Sequence, residues 1–429
     1  MSEKRILIIA VLALAVTYGG YQAVRSANDW MMGFDYSQYY VASRMVLAGE
    51  SEKIYLQDKE WMREAARYGV EPAKYGSVEV DLPANVYPPV VSIMMIPFAL
   101  LPYETSRYVF YAFNYIAAAA VVALLFANRR GERKRTAMLL AACACLIFYP
   151  FHFALYFGQI NIILLLLCAL GLYFARKEHY VAAGIPIGLA AAVKFFPAIL
   201  ALFFLLKRRP RGAISTIAAA FVFTLASLFI YTPAFLFDYF TKVLPSQASA
   251  GASLRNQSIT GFFSRLLTDN SHMLSAENLP ALATVLSLIV SLLVLFVLCL
   301  FVFKNRRAEP GKYGIEFAAF LVAGVIVTPK SWTHLAVFLL PAWFFAADWM
   351  RAKKITRAAP WFFLFISYCI WAFTFTGIDY ESVPPSLAGT FAVSTPLYAS
   401  LILLIVLFWV IRREPRRNDV MFVEDAASQ

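Results

Sequence analysis

The chain has 429 residues, of which 61% are hydrophobic and only 15% are charged. Soluble proteins carry about 25% charged residues, so this composition excludes an ordinary soluble enzyme of two or three domains. Apolar stretches of about 17–25 residues recur from Ile6 to Ile411, and each is long enough to cross a bilayer. The net charge of +12 is concentrated in short hinges between these stretches, which indicates membrane topology rather than nucleic-acid binding. The sequence therefore predicts an all-α polytopic membrane protein with no nucleic-acid partner.

The N-terminal residues 1–24 resemble a signal peptide, with Lys4 and Arg5 ahead of an apolar core. Because no small-x-small cleavage site precedes Arg25, we expect an uncleaved first span. All five cysteines lie within apolar stretches, so no disulfide framework is predicted.

Twelve apolar segments follow one another along the chain. They cover residues 6–24, 104–127, 136–153, 159–175, 180–193, 195–206, 212–232, 280–303, 313–329, 333–349, 358–376 and 396–411. When residues at helix ends are assigned to the nearer side, one side holds 25 Lys and Arg residues and the other holds 13. Because basic residues favour the cytoplasmic side, this asymmetry predicts cytoplasmic N- and C-termini.

Two stretches do not fit a simple span. Residues 180–206 are too long for one span and too short for two, so we expect two half-helices that meet at residues 194–197, with Pro197 starting the second. Residues 87–101 are apolar but short and are interrupted by Pro97, so we expect them to dip into the outer leaflet and return.

The domain organisation follows from this topology. The first outer loop, residues 25–86, is the only sizeable soluble-like region and carries amphipathic helical stretches such as 54–68. We expect three parts: a core of residues 1–232, a C-terminal membrane region of residues 233–411 whose outer loops contribute to the donor site, and a basic cytoplasmic tail of residues 412–429.

Polar residues that are costly in a membrane gather near the predicted outer surface. Placing a charged side chain at the centre of a membrane costs at least about 2.5–3.5 kcal/mol. A charged residue at the end of a membrane segment therefore requires an explanation. These residues are Asp35, Gln159, Asn161, Lys194, Arg255, Asn256, Gln257, Lys330 and His334. Their convergence at one depth is the strongest functional signal in the sequence.

Each of these residues also has a purely structural explanation. Asp35 can cap a helix, Gln159 can bond between helices, and Lys194 can extend its amine to lipid headgroups. His334 can be a satisfied interfacial histidine, and Arg255 can contact lipid phosphate. A carboxylate that faces several cations and amides at one depth nevertheless favours a functional site.

The chemistry that this set suggests is transfer from a lipid-linked phosphate donor. Lys194, Arg255, Lys330 and His334 are predicted to hold a phosphate whose isoprenoid tail lies in the bilayer. Asp35 is predicted to accept the proton of an attacking sugar hydroxyl as general base.

No metal site and no cofactor are predicted. The four histidines are scattered, and the acidic pair Glu79 and Asp81 is only a weak metal signal. The chain has no Walker sequence and no Gly-x-Gly-x-x-Gly, which argues against ATP or a nucleotide sugar.

The polar residues belong to short motifs that run along most of the chain. These motifs are Asp35 with Tyr39-Tyr40-x-Ala42 and Gly49; Tyr87-Pro88-Pro89 with Pro97 and Leu101-Pro102; Gly158-Gln159-Ile160-Asn161; Gly188-Leu189-Ala190-Ala191-Ala192-x-Lys194-x-x-Pro197; Asn256-Gln257-Ser258; and Pro329-x-Ser331-Trp332-x-His334. In this order and spacing, over about residues 10–350, the sequence resembles glycosyltransferase family 87. Its members are integral-membrane transferases of the GT-C fold, and mycobacterial polyprenyl-phosphate-mannose-dependent mannosyltransferases are the best known.

The resemblance implies a seven-span GT-C core and a polyprenyl-phosphate sugar donor used from the outer face. Asp35 matches the family's acidic residue after the first span, which implies that it is the catalytic base. His334 matches the family's outer-turn histidine, which implies contact with donor phosphate or acceptor. Leu335 stands where family members often carry a second histidine, so no role that needs two imidazoles is expected.

We therefore expect an inverting glycosyltransferase of a bacterial inner membrane. It would transfer a hexose, with mannose favoured by analogy, from a polyprenyl-phosphate donor to a lipid or glycan acceptor at the extracytoplasmic face. The predicted substrate-binding residues are Tyr39, Tyr87, Gln159, Asn161, Asn256 and Gln257.

Three other functions remain open from the sequence. A transporter or flippase of a lipid-linked sugar would also use broken helices. Such a protein should in addition have paired repeats and polar residues on the inner side of the membrane, and the sequence shows neither. A glycan polymerase or ligase would use the same donor type with a larger acceptor. A non-catalytic scaffold would tolerate the change of Asp35 to Asn.

Overall fold

The protein is built almost entirely from helices. A computed structural model describes residues 3–27, 32–71, 73–75, 78–246, 251–305, 312–377 and 386–412. The first helices are α1 (Glu3–Ala27), α2 (Phe34–Leu47), α3 (Asp58–Arg67), α4 (Pro89–Met94), α5 (Ile96–Ala99), α6 (Tyr103–Leu125), α7 (Gly131–Ile147), α8 (Tyr149–Tyr156), α9 (Asn161–Arg176), α10 (Tyr180–Val193) and α11 (Ile199–Leu206). They are followed by α12 (Pro210–Ala226), α13 (Pro233–Asp238), α14 (Leu244–Ser246), α15 (Ile259–Leu267), α16 (Pro280–Lys304), α17 (Tyr313–Val327), α18 (Leu340–Ala352), α19 (Ala358–Gly377), α20 (Leu387–Val393) and α21 (Thr395–Arg412).

Short elements complete the architecture. In the loop between α3 and α4, the strands β1 (Ala73–Tyr75) and β2 (Val78–Val80) pair antiparallel, with Ala73 opposite Val80. Tighter 3₁₀ turns occupy Ser51–Lys53, Phe196–Ala198, Ser227–Phe229 and Thr333–Leu339, and a π-helical turn occupies Tyr239–Val243.

Each of the twelve segments predicted from the sequence coincides with a helix or with two consecutive helices. Among the described residues, five helices are long and apolar enough to cross a membrane: Tyr103–Leu125, Pro210–Phe229, Pro280–Lys304, Thr333–Ala352 and Thr395–Arg412. The bent pair α7 and α8 gives a sixth if it counts as one span. Shorter apolar helices lie at Asn161–Arg176, Tyr180–Val193, Phe196–Leu206, Tyr313–Val327 and Ala358–Phe373. The length and composition of these helices therefore make the protein a multi-pass membrane protein. The exact count of twelve spans stays a prediction.

The segment predicted over 136–153 is not one straight helix but the bent pair α7 and α8. The chain bends by 63° between α7 and α8, with Phe148 extended at the break. Pro150 has no N–H to donate to the carbonyl of Leu146, so the helix cannot continue through it. The Nε2 atom of His152 lies 2.6 Å from that carbonyl oxygen and donates to it instead.

The predicted break in residues 180–206 is confirmed as a break between helices. The first half, α10, ends at Val193, and Lys194 has extended backbone angles. A 3₁₀ turn that contains Pro197 then leads into α11. Lys194 is consequently displayed at the junction rather than on a helix face.

The core is organised around α17, whose residues Gly314–Ile326 are buried on every side. A helix that is apolar all round is typical of such a central position. Elsewhere in the bundle, α10 and α12 pack closely, and a Cβ atom on Gly188 would lie 2.5 Å from the Cβ of Ala219. At the periphery, α16 leaves side chains such as Leu293 more than half exposed, as expected for a helix that contacts lipid.

The predicted loops contain more helix than the sequence indicated. The amphipathic stretch expected at 54–68 is shorter, since α3 spans Asp58–Arg67. The stretch 87–101 forms the two short helices α4 and α5, which pack against α2. Helices α13, α14, α15 and α20 lie in segments that were predicted as loops.

Candidate functional site

Asp35 lies in the first turn of α2, where the helix dipole favours a negative charge. The start of this helix is fixed by the turn after α8: the N–H groups of Asp35 and Tyr36 donate to the carbonyl of Phe157 at 2.9 and 3.1 Å, and Gly33 donates to Tyr156 at 2.8 Å. The Asp35 side chain is half-buried. The carboxylate is thus held by the backbone of two segments that are more than a hundred residues apart in sequence.

Gly158 makes this close approach possible. Its φ is +68°, in the left-handed region that favours glycine, and a Cβ atom there would lie 2.5 Å from the Cβ of Tyr36. Any other residue would push α2 away from the turn. The glycine therefore brings the next residue, Gln159, against the Asp35 carboxylate.

The Gln159 amide makes hydrogen bonds to four side chains of the site. Its Nε2 donates to Asp35 Oδ2. Its Oε1 accepts from Lys194 Nζ at 3.3 Å, from the Tyr87 hydroxyl at 3.2 Å and from the Tyr39 hydroxyl at 3.4 Å. A second amide, Gln38 on the next turn of α2, donates to Asp35 Oδ1 at 3.2 Å.

Lys194 extends from the helix break into the same cluster. Its amine donates to Asn161 Oδ1 at 2.7 Å and lies 5.5 Å from the centre of the Tyr87 ring. Asn161 in turn donates to the backbone carbonyl of His334 at 3.1 Å. The acid, the lysine and the turn that carries the histidine are therefore linked by one chain of hydrogen bonds.

A stack of side chains extends the cluster from His334 towards the surface. The His334 ring lies nearly parallel to that of Phe153, with centroids 6.2 Å apart, and the exposed Arg255 guanidinium lies 5.1 Å from the Phe153 centroid. His334 is only 7% exposed, and its Nδ1 has no hydrogen-bond partner among the described residues. A buried nitrogen without a partner is a candidate ligand contact.

Asn256 and Gln257 hold two loops together. Asn256 accepts from the N–H of Ser331 at 2.9 Å and donates to the carbonyl of Pro329 at 2.9 Å, while the N–H of Gln257 donates to Ser331 at 2.8 Å. The buried Arg265 donates to the Asn256 carbonyl at 2.8 Å. These contacts fix the turn that carries Lys330 and His334.

The burial of the cluster changes its acid–base properties. Burial raises the pKa of Asp35 to about 6, although the hydrogen bond from Gln159, the charge of Lys194 and the hydrogen bond from Gln38 all lower it. Burial also raises the pKa of Tyr39 and Tyr87, so both phenols remain neutral donors near pH 7. A carboxyl with a pKa near neutrality is suited to general base catalysis.

The structure brings most of the predicted site residues together. Those in direct contact are Asp35, Tyr39, Tyr87, Gln159, Asn161 and Lys194, with His334 one hydrogen bond further on. Asn256 and Gln257 are engaged by backbone groups, and the half-buried Lys330 lies in the turn that they hold. The chemical role of each residue stays a prediction.

Sequence reasoning missed two members of the cluster. Gln38 lies three residues after Asp35, and this helical spacing was a usable signal for a second carboxylate partner. Phe153 gave no such signal, since an aromatic residue in an apolar segment is ordinary. Within the described residues, no three His, Cys, Asp or Glu side chains group closely enough to hold a metal ion, and the side chain of Glu79 lies outside them.

The fold and this cluster define a class: a multi-pass helical membrane protein with a half-buried carboxylate and a half-buried lysine joined through one amide. The profile of glycosyltransferase family 87 matches residues 85–329, which is more than half of the chain. The chain belongs to glycosyltransferase family 87.

Similar proteins are mycobacterial. A polyprenol-phosphate-mannose-dependent alpha-(1-2)-phosphatidylinositol mannoside mannosyltransferase of Mycobacterium tuberculosis is 27% identical over 299 residues, which are 66% of each chain. A polyprenol-phosphate-mannose-dependent alpha-(1-2)-phosphatidylinositol pentamannoside mannosyltransferase of Mycolicibacterium smegmatis is 27% identical over 274 residues, 62% of each chain. The chain thus spans 66% or less of the length of these relatives.

Proposed function

We propose that this protein transfers a hexose, with mannose favoured, from a polyprenyl-phosphate donor to a hydroxyl group of a lipid or glycan acceptor. The observation that carries the proposal is the Asp35–Gln159–Lys194 cluster, in which a carboxylate with a pKa near 6 lies beside a half-buried cation. Membership of glycosyltransferase family 87 supports the reaction class. The names of the two relatives support the donor class.

In this proposal the reaction is a single displacement. The acceptor hydroxyl oxygen attacks the anomeric carbon of the donor sugar, and the bond from that carbon to the phosphate oxygen breaks. The hydroxyl proton passes to the Asp35 carboxylate, and polyprenyl phosphate leaves with the bonding electrons. Attack opposite the leaving phosphate inverts the anomeric configuration.

The leaving phosphate gains a second negative charge, which fixed cations stabilise best in a poorly hydrated site. We assign this role to Lys194, Lys330, Arg255 and His334. Lys194 is best placed for it, because its amine lies two hydrogen bonds from Asp35, through Gln159. The Nδ1 atom of His334, which has no hydrogen-bond partner in the described part of the chain, provides a further contact for phosphate or acceptor.

The membrane arrangement belongs to the same proposal. We infer a GT-C fold with twelve membrane segments, cytoplasmic termini in a bacterial inner membrane, and the Asp35 cluster on the extracytoplasmic side. The distribution of Lys and Arg supports this orientation. No cofactor or metal is assigned a role in it.

A transporter of the same lipid-linked sugar would need a polar path through the helix bundle. The residues of α17 from Phe317 to Ile326 are apolar and buried, so this part of the central helix gives such a path no polar groups. This observation favours the enzyme over the flippase.

The test is sugar transfer in vesicles from radiolabelled polyprenyl-phosphate mannose into extracted lipids. We expect Asp35→Asn to lower transfer about 10²–10⁴-fold, because an amide does not accept the hydroxyl proton. Asp58→Asn, at an exposed acid in α3, is the matched control and should keep wild-type transfer.

Equal folded amounts are set by size-exclusion chromatography before the assay. Wild-type-like transfer by Asp35→Asn would disprove the proposed base. Absence of transfer from mannose, glucose and arabinose donors, with movement of the donor across the bilayer, would show a transporter instead.

A further inference from the structure

Gln159 was predicted as a substrate contact, but its surroundings indicate a different role. The side chain is only 2% exposed, and it lies between Gly158 and the first residue of α9. Its backbone N–H donates to the carbonyl of Ala154 at 2.8 Å. The residue is therefore fixed in the wall of the site rather than displayed in it.

The orientation of the Gln159 amide is determined by its partners. Three donors surround Oε1: the Lys194 amine and the hydroxyls of Tyr39 and Tyr87, at 3.2–3.4 Å. The NH₂ group on the other side meets the acceptor oxygen of Asp35. A flipped amide would place its donors against an ammonium group and its oxygen against a carboxylate, so only one orientation satisfies the cluster.

We propose that Gln159 is a positioning residue. Its amide donates to the Asp35 carboxylate and holds it in place, and it also accepts from the Lys194 amine, which Asn161 holds apart from that carboxylate as well. A direct ion pair would neutralise both groups, whereas the interposed amide leaves the base able to accept a proton and the cation able to bind phosphate. This inference rests on the proposed function of the site.

Lys194 has a second anchor that is independent of Gln159. Its hydrogen bond to Asn161 Oδ1, at 2.7 Å, is shorter than the 3.3 Å bond to Gln159. Removal of the Gln159 amide should therefore leave the amine near its present position. Asp35 would lose its donor without gaining a direct contact with the cation.

The acid–base groups that face Asp35 come from three parts of the chain. Tyr39 lies on its own helix, Tyr87 precedes α4, and Lys194 occupies the helix break. The uncharged Gln38 also donates to the carboxylate. Because both phenols remain neutral, Lys194 is the charge that acts on Asp35 near pH 7.

The experiment uses the full-length protein in vesicles and the variant Gln159→Leu, which keeps a similar volume and removes the amide. The first measurement is the pH dependence of kcat/KM for transfer from polyprenyl-phosphate mannose. Loss of a charge-assisted hydrogen bond should move the acidic limb upward by about one pH unit or more. A residue that only fills space would lower activity without moving this limb.

The second measurement does not need activity. A hydrophobic carbodiimide reacts with protonated carboxyl groups, so labelling of Asp35 against pH, followed by mass spectrometry, reports its protonation directly. The labelling midpoint should lie near pH 6 in the wild type and move upward by the same amount in Gln159→Leu.

Two matched variants separate the two functions of the amide. Gln38→Leu removes the weaker 3.2 Å donor to Asp35. It should move the acidic limb of kcat/KM and the labelling midpoint upward, in both cases by less than Gln159→Leu does. Asn161→Leu removes the partner of Lys194 but does not touch Asp35. Asn161→Leu should raise the KM for the donor without shifting the acidic limb or the labelling midpoint.

Should Gln159→Leu fail to fold, Gln159→Glu replaces it, because the shape is conserved while the donor is lost. Two adjacent carboxyl groups would then share one proton, and the upward shift should be larger. Unchanged midpoints, or a downward shift, would overturn the assigned role. Absence of transfer by the wild type would refute the proposed function, whereas the labelling result would still decide the role of Gln159.

Discussion

Opposite charges lie close together at both ends of the segment from Lys194 to Lys207, half-buried at one end and buried at the other, and the two arrangements are built differently. At one end an amide separates Asp35 from Lys194. At the other end, Lys207 and Glu316 form a direct ion pair at 2.7 Å, with side chains 8% and 0% exposed. The direct pair neutralises itself, whereas the separated pair keeps both charges available to a substrate.

The neighbours of the direct pair have structural partners. Arg176 donates to the carbonyl of Leu125 at 2.9 Å, and Lys312 donates to that of Ile411 at 2.9 Å. These carbonyls lie at the C-terminal ends of α6 and α21, where cations stabilise the helix dipole. In this protein, a charged group is therefore open to a substrate where no direct partner neutralises it.

The largest expected effect on stability comes from breaking the direct pair. Lys207→Met leaves the fully buried Glu316 carboxylate uncompensated and should cost about 3–5 kcal/mol of stability. Folded yield and thermal stability, measured by size-exclusion chromatography, provide the check. The double variant Lys207→Met with Glu316→Leu should recover most of the loss, and a stable single variant would contradict the comparison.

A lysine-to-methionine substitution at Lys194, the other end of the segment, should affect catalysis rather than folding. Lys194→Met removes the cation nearest to the base and should lower kcat about 10²–10³-fold, because the leaving phosphate loses a preorganised charge. Transfer is measured as for Asp35→Asn, at equal folded amounts. If Lys194→Met failed to fold while Lys207→Met remained active, the roles assigned to the two ends would be reversed.

The smallest expected effect is the pH dependence of the wild type. Asp35 must be ionised to act as a base, so with a pKa raised to about 6 by burial, activity is present above pH 6 and is lost as the pH falls through it. Transfer should fall about tenfold between pH 7 and pH 5. An acidic limb near pH 4 would show that Asp35 behaves as a solvated carboxylate.

Most of the helical architecture could be predicted from the sequence, because apolar segment length and basic hinges are local properties. The break at Lys194 was predictable for the same reason, since the length of 180–206 and Pro197 are visible in the sequence. The bend at Phe148 was missed although Pro150 is visible, because a proline can also kink a span without dividing it.

The sequence by itself determined which residues are costly in a membrane, and its basic hinges predict that they share a side. Only the tertiary structure decided how they are joined. The contact of Gln159 with Asp35 spans 124 residues, and it depends on the left-handed turn at Gly158 that lets α2 approach. Hydrogen bonds between distant segments follow from the packing of whole helices, which local patterns do not specify, so the separation of acid and cation by one amide became visible only in three dimensions.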